Sequence, residues 1–166
     1  DVKNNGDRAL LKDTLKFDGA ATDDLRISEK EISEAEKEIP DELKSAIAVA
    51  GSNIERFHRT QLPDDGIIVE TLRGVRCWRK SVAVEKAGIY VPGGSAPLFS
   101  TVLMLAIPAR IAGCREIIMC TPPDKNGKVN QLILYTARIS GVTSFFRVGG
   151  AQAIAAMAYG TETIPK

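Results

Sequence analysis

The sequence predicts an α/β protein that contains three strands of a doubly wound parallel sheet. From about residue 87 onward, short apolar runs alternate with helical segments, which is typical of parallel strands joined by crossover helices. Residues 1–60 are charged and have helical periodicity, and a hairpin pattern follows them. We therefore expect amino-terminal helices plus a β-hairpin over residues 1–85 and an incomplete parallel-sheet domain over residues 86–166.

Composition restricts the function classes. The chain has 166 residues, of which 44% are hydrophobic and 26% charged, as in soluble globular proteins. A net charge of +1 gives no argument for nucleic acid or membrane surfaces as partners. Three scattered cysteines and one histidine make a zinc site from this chain alone unexpected, and they indicate buried thiols in a reducing, cytoplasmic setting. A start at Asp1 without methionine suggests an excised fragment.

The amino-terminal region predicts three helices. Residues 7–17 place leucines on one side, and residues 28–31 have the S-x-x-E spacing of a capping box. Pro40 stops or restarts the second helix. From Asp41 to about Thr60, apolar residues recur at steps of three and four, which predicts an amphipathic helix.

A β-hairpin is predicted next. Residues 67–71 form the first strand candidate, Leu72-Arg73-Gly74 the turn, and residues 75–84 the second strand. Trp78 lies on the second strand, where we expect it to pack rather than to bind a ligand.

The stretch from Ala87 to Gly113 predicts strand, glycine turn and helix. Residues 88–91 suit a buried strand, Pro92-Gly93-Gly94 ends it, and Ser100 or Thr101 is expected to cap the helix that follows. Pro108 is expected to kink or restart that helix. A helix amino terminus after a glycine turn is a common anion site.

The pattern then repeats twice. Residues 116–120 form a strand closed by Thr121-Pro122-Pro123, and residues 131–140 a helix with Gly141 placed to end it. Cys114 and Cys120 flank this strand and are expected to fill the core. Residues 144–148 form the third strand, Gly149-Gly150 ends it, and an alanine-rich helix follows to residue 159.

Both glycine pairs lie at the carboxyl edge of the predicted sheet, where such folds bind ligands. The spacing is not G-x-G-x-x-G, and no acidic residue follows the second strand to accept a ribose hydroxyl. The pattern alone leaves open a nucleotide-like ligand or plain turns. Arg147 is a candidate to approach a phosphate, whereas Arg110 is expected to face away from the turns.

Several strings together resemble the histidinol dehydrogenase family. They are the following: Asn53-Ile54, Phe57-His58 and Gln61; Gly88 and residues 90–96; residues 100–104; Pro108-Ala109 and Ala112-Gly113; residues 121–123; and residues 149–156, GGAQAIAA.

The resemblance implies an activity: oxidation of L-histidinol to L-histidine by way of histidinaldehyde, the last steps of histidine biosynthesis, with two NAD+ consumed in turn. It also implies a zinc ion that holds the substrate, a homodimer, and nucleotide-binding domains that are incomplete Rossmann folds without the usual glycine fingerprint. The fold expected for this chain is thus an incomplete Rossmann-like parallel sheet, preceded by helices and a hairpin.

The same resemblance implies residue roles. Tyr90 and Gln152 correspond to NAD contacts, with Gly93, Gly94, Gly149 and Gly150 as weaker cofactor-binding candidates. Ser100 and His58 are candidates for substrate neighbours, although capping is an equally good interpretation for Ser100 and a better one for His58.

The departures from the family limit the prediction. The family's zinc ligands, its Glu-His acid–base pair and its Gly-Pro-Gly-Asn motif match nothing in this sequence. We therefore expect an amino-terminal fragment that is inactive by itself and is a monomer or a weak dimer. The alternative is a non-catalytic nucleotide-binding or interaction module, and a Gly-Pro-Gly-Asn motif encoded beyond codon 166 would argue against it.

Overall fold

A computed structural model describes residues 1–64, 66–93 and 96–166. Helices and strands follow one another in the predicted order. The helices are α1 (Val2–Asp13), α2 (Glu29–Glu38), α3 (Asp41–Arg59), α4 (Phe99–Ile111), α5 (Gln131–Ser140) and α6 (Gly150–Tyr159), with a π-helical turn at Thr14–Asp18. The strands are β1 (Ile68–Leu72), β2 (Val75–Trp78), β3 (Lys86–Tyr90), β4 (Glu116–Thr121) and β5 (Ser144–Arg147).

The parallel sheet is the centre of the fold. Its order is β3-β4-β5, with Tyr90 opposite Cys120 and Thr121 opposite Arg147. Side chains of β3 and β4 alternate between two cores: α4 and α5 cover one face, and α6 with α1 covers the other. Helices on both faces of a parallel sheet confirm the predicted α/β class.

The amino-terminal helices are packed directly on the α/β part. Helix α1 lies against α6, α2 against α5, and α3 against α4. All three core clusters contain residues from both sides of residue 85, such as Leu10 with Phe146 and Ile32 with Ile133. The boundary between 85 and 86 stays a prediction, but the two segments bury their apolar surface together.

An extended segment covers the outer edge of β5. The Ile27 N–H donates to the Phe145 carbonyl at 2.9 Å, and the Arg147 N–H donates to the Leu25 carbonyl at 2.8 Å. Arg26 forms an antiparallel bridge with Phe146. These bonds satisfy backbone groups that an edge strand otherwise leaves open.

Arg147 joins this segment to α2. Its guanidinium donates to the Gly127 carbonyl at 2.8 Å, to the Arg26 carbonyl at 3.1 Å and to Glu31 Oε1 at 2.7 Å. Glu31 also completes the predicted capping box, since it accepts from the Ser28 N–H at 2.9 Å. Its Nη1 and Nη2 groups are thus bonded to a neighbouring carboxylate and two carbonyls, whereas its Nε is buried without a partner among the described residues. These contacts do not support the prediction that Arg147 approaches a phosphate.

Burial opposes ionisation of Glu31, but hydrogen bonds from the Ser28 backbone and from Arg147 outweigh it, and its pKa lies below the ordinary 4.5. A lowered carboxyl pKa stabilises the fold above the ordinary value, and that contribution is lost as the pH falls through the folded-state pKa.

The hairpin of β1 and β2 is exposed along both strands. The second strand ends at Trp78, six residues earlier than the predicted end at Val84. Trp78 is 66% exposed and Cys77 is exposed, so the expectations of a packed Trp78 and of three buried thiols are wrong at these positions. A two-stranded hairpin has no third layer to cover its side chains.

The expected cap of α4 is wrong, and the restart expected at Pro108 does not occur. The helix begins at Phe99 with Leu98 as its N-cap, so Ser100 and Thr101 lie inside the first turn and do not cap it. The helix also continues through Pro108 to Ile111. Proline removes the hydrogen bond to the carbonyl of Met104, and Met104 is exposed, so water can satisfy that carbonyl.

Other local predictions are confirmed. Gly141 ends α5 with φ 98°, in the left-handed region that glycine favours. Cys120 is buried in the core, and this burial raises the pKa of its thiol to about 12, so the thiol stays neutral.

Within the described ranges, none of the helices has the length and apolar character that a membrane crossing requires.

Replacing Arg147 by methionine is predicted to lower the free energy of unfolding by about 2 kcal/mol, because it removes hydrogen bonds to a carboxylate and to two carbonyls. Urea denaturation at pH 7 measures this. The loss should shrink as the pH falls below 4.5, where Glu31 becomes protonated in the unfolded chain.

The matched control is Arg138→Met. Arg138 also bridges α5 to α2, through Glu29, but both side chains are largely exposed. Exposed ion pairs contribute little, so this variant should lose no more than about 0.5 kcal/mol. Equal losses in the two variants would contradict a special role for Arg147.

Candidate functional site

A cleft of about 780 Å³ lies at the carboxyl ends of the parallel strands. We call it the strand-end cleft. The ends of β3 and β4, the loops that follow them and the first residue of α6 form its walls. Its lining consists of Asp18, Tyr90, Pro92, Gly93, residues 96–98, residues 121–124, residues 128–131, Ile133 and Gly150.

Two glycines approach Pro122 from opposite strands. A Cβ atom built on Gly93 would lie 2.6 Å from Pro122 Cγ, and one built on Gly149 would lie 2.7 Å from Pro122 Cβ. Both distances are shorter than van der Waals contact allows. The glycine turns therefore do more than reverse the chain, because they let the ends of all three strands meet around one proline ring.

Tyr90 links two of the strand ends. It is the last residue of β3, and its half-buried ring packs against the core on the α6 side of the sheet. Its hydroxyl oxygen accepts a hydrogen bond of 3.1 Å from the Gly150 N–H, the first residue of α6. The phenol thus satisfies a free donor at a helix amino terminus and keeps its own proton to donate.

Gln152 lies on the other side of this turn. It does not line the strand-end cleft but a neighbouring groove between α6 and the first residues of the chain. Its side-chain amide folds back toward Gly150, where an added Cβ atom would lie 2.6 Å from the Gln152 oxygen. Gly150 has φ 63°, which explains the need for glycine. Tyr90 and Gln152 therefore flank Gly150 from two sides.

The structure does not bring the two predicted substrate neighbours to this cleft. Ser100 is exposed on α4 and is not part of the lining. His58 lies near the carboxyl end of α3, where its Nδ1 is 2.7 Å from Gln61 Oε1. Arg110 faces away, as predicted, and pairs with Glu55 at 3.0 Å. The candidate Gly94 lies outside the described residues.

The cleft also contains polar side chains that the sequence pattern did not single out. Asp124 accepts from the N–H groups of Asn126 and Lys128, and Asn130 accepts from the N–H of Leu132. These two side chains organise the loop between β4 and α5. The sequence signal that could have revealed them is the Pro-Pro-Asp turn, because it follows β4 at the same edge of the sheet.

Asp18 comes from a distant part of the chain. It ends the π-helical turn before Gly19, which has φ 69°. Its Oδ2 atom is buried and has no hydrogen-bond partner among the residues that the structure describes. Desolvation raises the pKa of this carboxyl above the ordinary 3.8. Nothing local in the sequence places Asp18 here, because its position depends on how α1 packs against α6.

Across residues 1–64, 66–93 and 96–166, no three His, Cys, Asp or Glu side chains are grouped as a metal site requires. The described lining residues offer other groups for contact with a ligand. These are exposed backbone at the glycines, one phenol, amide and carboxylate oxygens, and the cation of Lys128.

These features define the class to which the protein belongs: a doubly wound α/β protein with a cleft at the carboxyl edge of its parallel sheet. Comparison with known proteins names the family. The profile of the histidinol dehydrogenase family matches residues 1–166, so the chain belongs to that family of oxidoreductases.

The most similar relatives support this assignment over nearly the whole chain. A histidinol dehydrogenase of Bacteroides fragilis is 60% identical over 165 residues, which cover 99% of this chain. One from Shigella boydii is 52% identical over 166 residues. The crystal structure of histidinol dehydrogenase from Elizabethkingia anophelis superposes with a TM-score of 0.96 at 54% identity and covers all of this chain. The chain spans only 38% of the length of the Bacteroides relative and of the Elizabethkingia chain.

The Pro122 contact leads to a prediction about Gly149. Replacement by alanine should lower the free energy of unfolding by about 1–3 kcal/mol, because the new methyl group overlaps a proline ring that cannot rotate away. Thermal or urea unfolding measures the change.

Gly51→Ala is the control for this substitution. Gly51 lies inside α3, and its added Cβ atom would meet Ile107 at 3.6 Å and Leu103 at 3.7 Å, which are ordinary contacts. This variant should gain up to about 1 kcal/mol from helix propensity. A stable Gly149→Ala protein would show that the strand ends do not need glycine there.

Proposed function

We propose that this chain forms a cofactor-binding edge of an NAD-dependent histidinol dehydrogenase, which oxidises L-histidinol to L-histidine by way of histidinaldehyde. The observation that carries the proposal is the joint placement of Tyr90, Gly93 and the Gly149-Gly150 turn around the strand-end cleft. Membership of the histidinol dehydrogenase family supports the choice of reaction.

The residues of the cleft fit a dinucleotide. Its volume falls within the range of about 300–1,000 Å³ that is usual for small-molecule sites. Gly93 and Gly150 line it, which leaves room for a ligand to approach the backbone closely. The cleft also combines a phenol, a carboxylate with an unpartnered oxygen and one lysine, and a dinucleotide offers hydroxyls and phosphates to such groups.

Tyr90 and Gln152 have distinct roles in this proposal. The Tyr90 ring gives the cofactor an aromatic face, and its O–H donates to a ribose or phosphate oxygen while its oxygen is held by Gly150. Gln152, on the other side of the turn, contacts the cofactor through its amide where the ligand passes from the cleft to the groove beside α6.

When it is bound, NAD+ supplies the hydride acceptor of the reaction. The residues of this chain bind and orient it and exclude water from one side of it. They do not fit a zinc ion, because the described residues form no cluster of zinc ligands. We further propose that the whole enzyme is a cytoplasmic homodimer and that this chain alone is a monomer or a weak dimer.

Titration of NAD+ by calorimetry tests the site. Tyr90→Phe should bind NAD+ about five- to tenfold more weakly than the wild type, because it loses one hydrogen bond and leaves the Gly150 N–H unpaired. Tyr90→Ala should bind more weakly still, because the ring is lost too.

Tyr135→Phe makes the same chemical change away from the cleft. Tyr135 is buried between α5 and α3 and is not a lining residue, so its removal should leave the NAD+ affinity unchanged. Equal affinity of the wild type and Tyr90→Ala would remove Tyr90 from the site and, with it, the proposed function.

The chain by itself is expected to have no dehydrogenase turnover. The 166-residue chain should produce no NADH from L-histidinol with zinc added, since no residues match the acid–base pair and zinc ligands that the family resemblance implies. Absorbance of NADH is the measurement, with a no-protein blank as reference. A rate above that blank would show that the chain contains a complete catalytic site.

A further inference from the structure

The contacts within the fold do not explain why residue 18 is an aspartate. It reaches the strand-end cleft from the π-helical turn, some 70 residues before Tyr90 in the chain. Both of its oxygens face the third strand end, since a Cβ atom built on Gly149 would lie 3.1 Å from Oδ1 and 3.2 Å from Oδ2. Asp18 and Tyr90 are thus placed against the two consecutive residues of one glycine turn.

The carboxylate is costly to keep in this position. Oδ2 is buried, and neither a hydrogen-bond donor nor a cation within ion-pair distance serves it among the described residues. Unpaired buried charge destabilises a fold, and the raised pKa of Asp18 has the same origin. Asparagine would occupy nearly the same volume without the charge. A ligand that donates hydrogen bonds to Asp18 accounts for the carboxylate.

We propose that Asp18 accepts hydrogen bonds from the hydroxyl groups of one ribose of the bound dinucleotide. The inference rests on the NAD site proposed above. Asp18 lines the cleft, and a carboxylate there accepts hydrogen bonds from hydroxyl groups, whereas it repels a phosphate. In doubly wound folds an acidic residue after the second strand commonly has this role, and here Cys120 and Thr121 occupy that position. Asp18 supplies the acid from a different element at the same sheet edge.

The test measures NAD+ affinity in wild type, Asp18→Asn and Asp23→Asn. Asp18→Asn should bind NAD+ about tenfold more weakly, as expected for loss of hydrogen bonds to a charged acceptor. Asp23→Asn removes the same charge from an exposed position outside the cleft and should bind like the wild type.

Deoxyribose analogues make the assignment specific. The wild type should bind NAD+ about tenfold better than the analogue whose relevant ribose lacks its 2′-hydroxyl, and Asp18→Asn should bind both about equally. Two analogues are measured: one lacks the 2′-hydroxyl of the adenosine ribose, and the other lacks the 2′-hydroxyl of the nicotinamide ribose. Coupling with one of them supports the proposal, and coupling with neither overturns it, because a purely structural Asp18 would weaken all ligands alike.

Stability without ligand gives a second readout. Asp18→Asn should raise the unfolding temperature at pH 7 by roughly 2 °C, since an unpaired buried charge is removed. A large decrease would assign Asp18 a structural role and overturn the proposal. If Tyr90→Ala also leaves NAD+ binding unchanged, the proposed function itself has failed. If Tyr90→Ala weakens binding and Asp18→Asn does not, only the assignment of Asp18 has failed.

Discussion

The contact of two glycine turns with the ring of Pro122 is the constraint on which the strand-end cleft depends. Parallel strands end at one edge of a sheet, but bulky turns would keep those ends apart. Gly93 and Gly149 bring the backbone of β3 and β5 within reach of the loop after β4. Once the ends converge, the Tyr90 hydroxyl reaches the Gly150 N–H, and α6 begins beside the cleft. Cleft shape and helix placement are thus consequences of one steric arrangement.

The cleft is also where the amino-terminal region meets the end of the parallel sheet. Helix α1 shares the core with α6, and the π-helical turn that continues α1 brings Asp18 against Gly149. On the opposite face, α2 is fixed through Glu31 and Arg147 at the end of β5. The charged amino-terminal region therefore supports the sheet edge from both faces and supplies one of its acidic side chains.

Local sequence patterns were enough to predict the elements whose ends depend on nearby residues. The capping box at Ser28, the glycine end of α5 and the two glycine turns all follow from chemistry within a few positions. The start of α4 was missed because Phe99, not a polar cap, enters the core contacts of α3 and α4. The partner of Arg147 and the position of Asp18 were beyond such patterns, since each depends on residues more than a hundred positions away in the chain. The roles of Tyr90 and Gln152 stay predictions.

The segment at Leu25–Ile27 makes the two edges of the parallel sheet different. Its hydrogen bonds to β5 close that side of the sheet, whereas β4 is the only described strand that pairs with β3. Among the described residues, the sheet edge that stays open to an additional strand is therefore that of β3. Such a strand would end next to Tyr90 and enlarge the binding edge on that side.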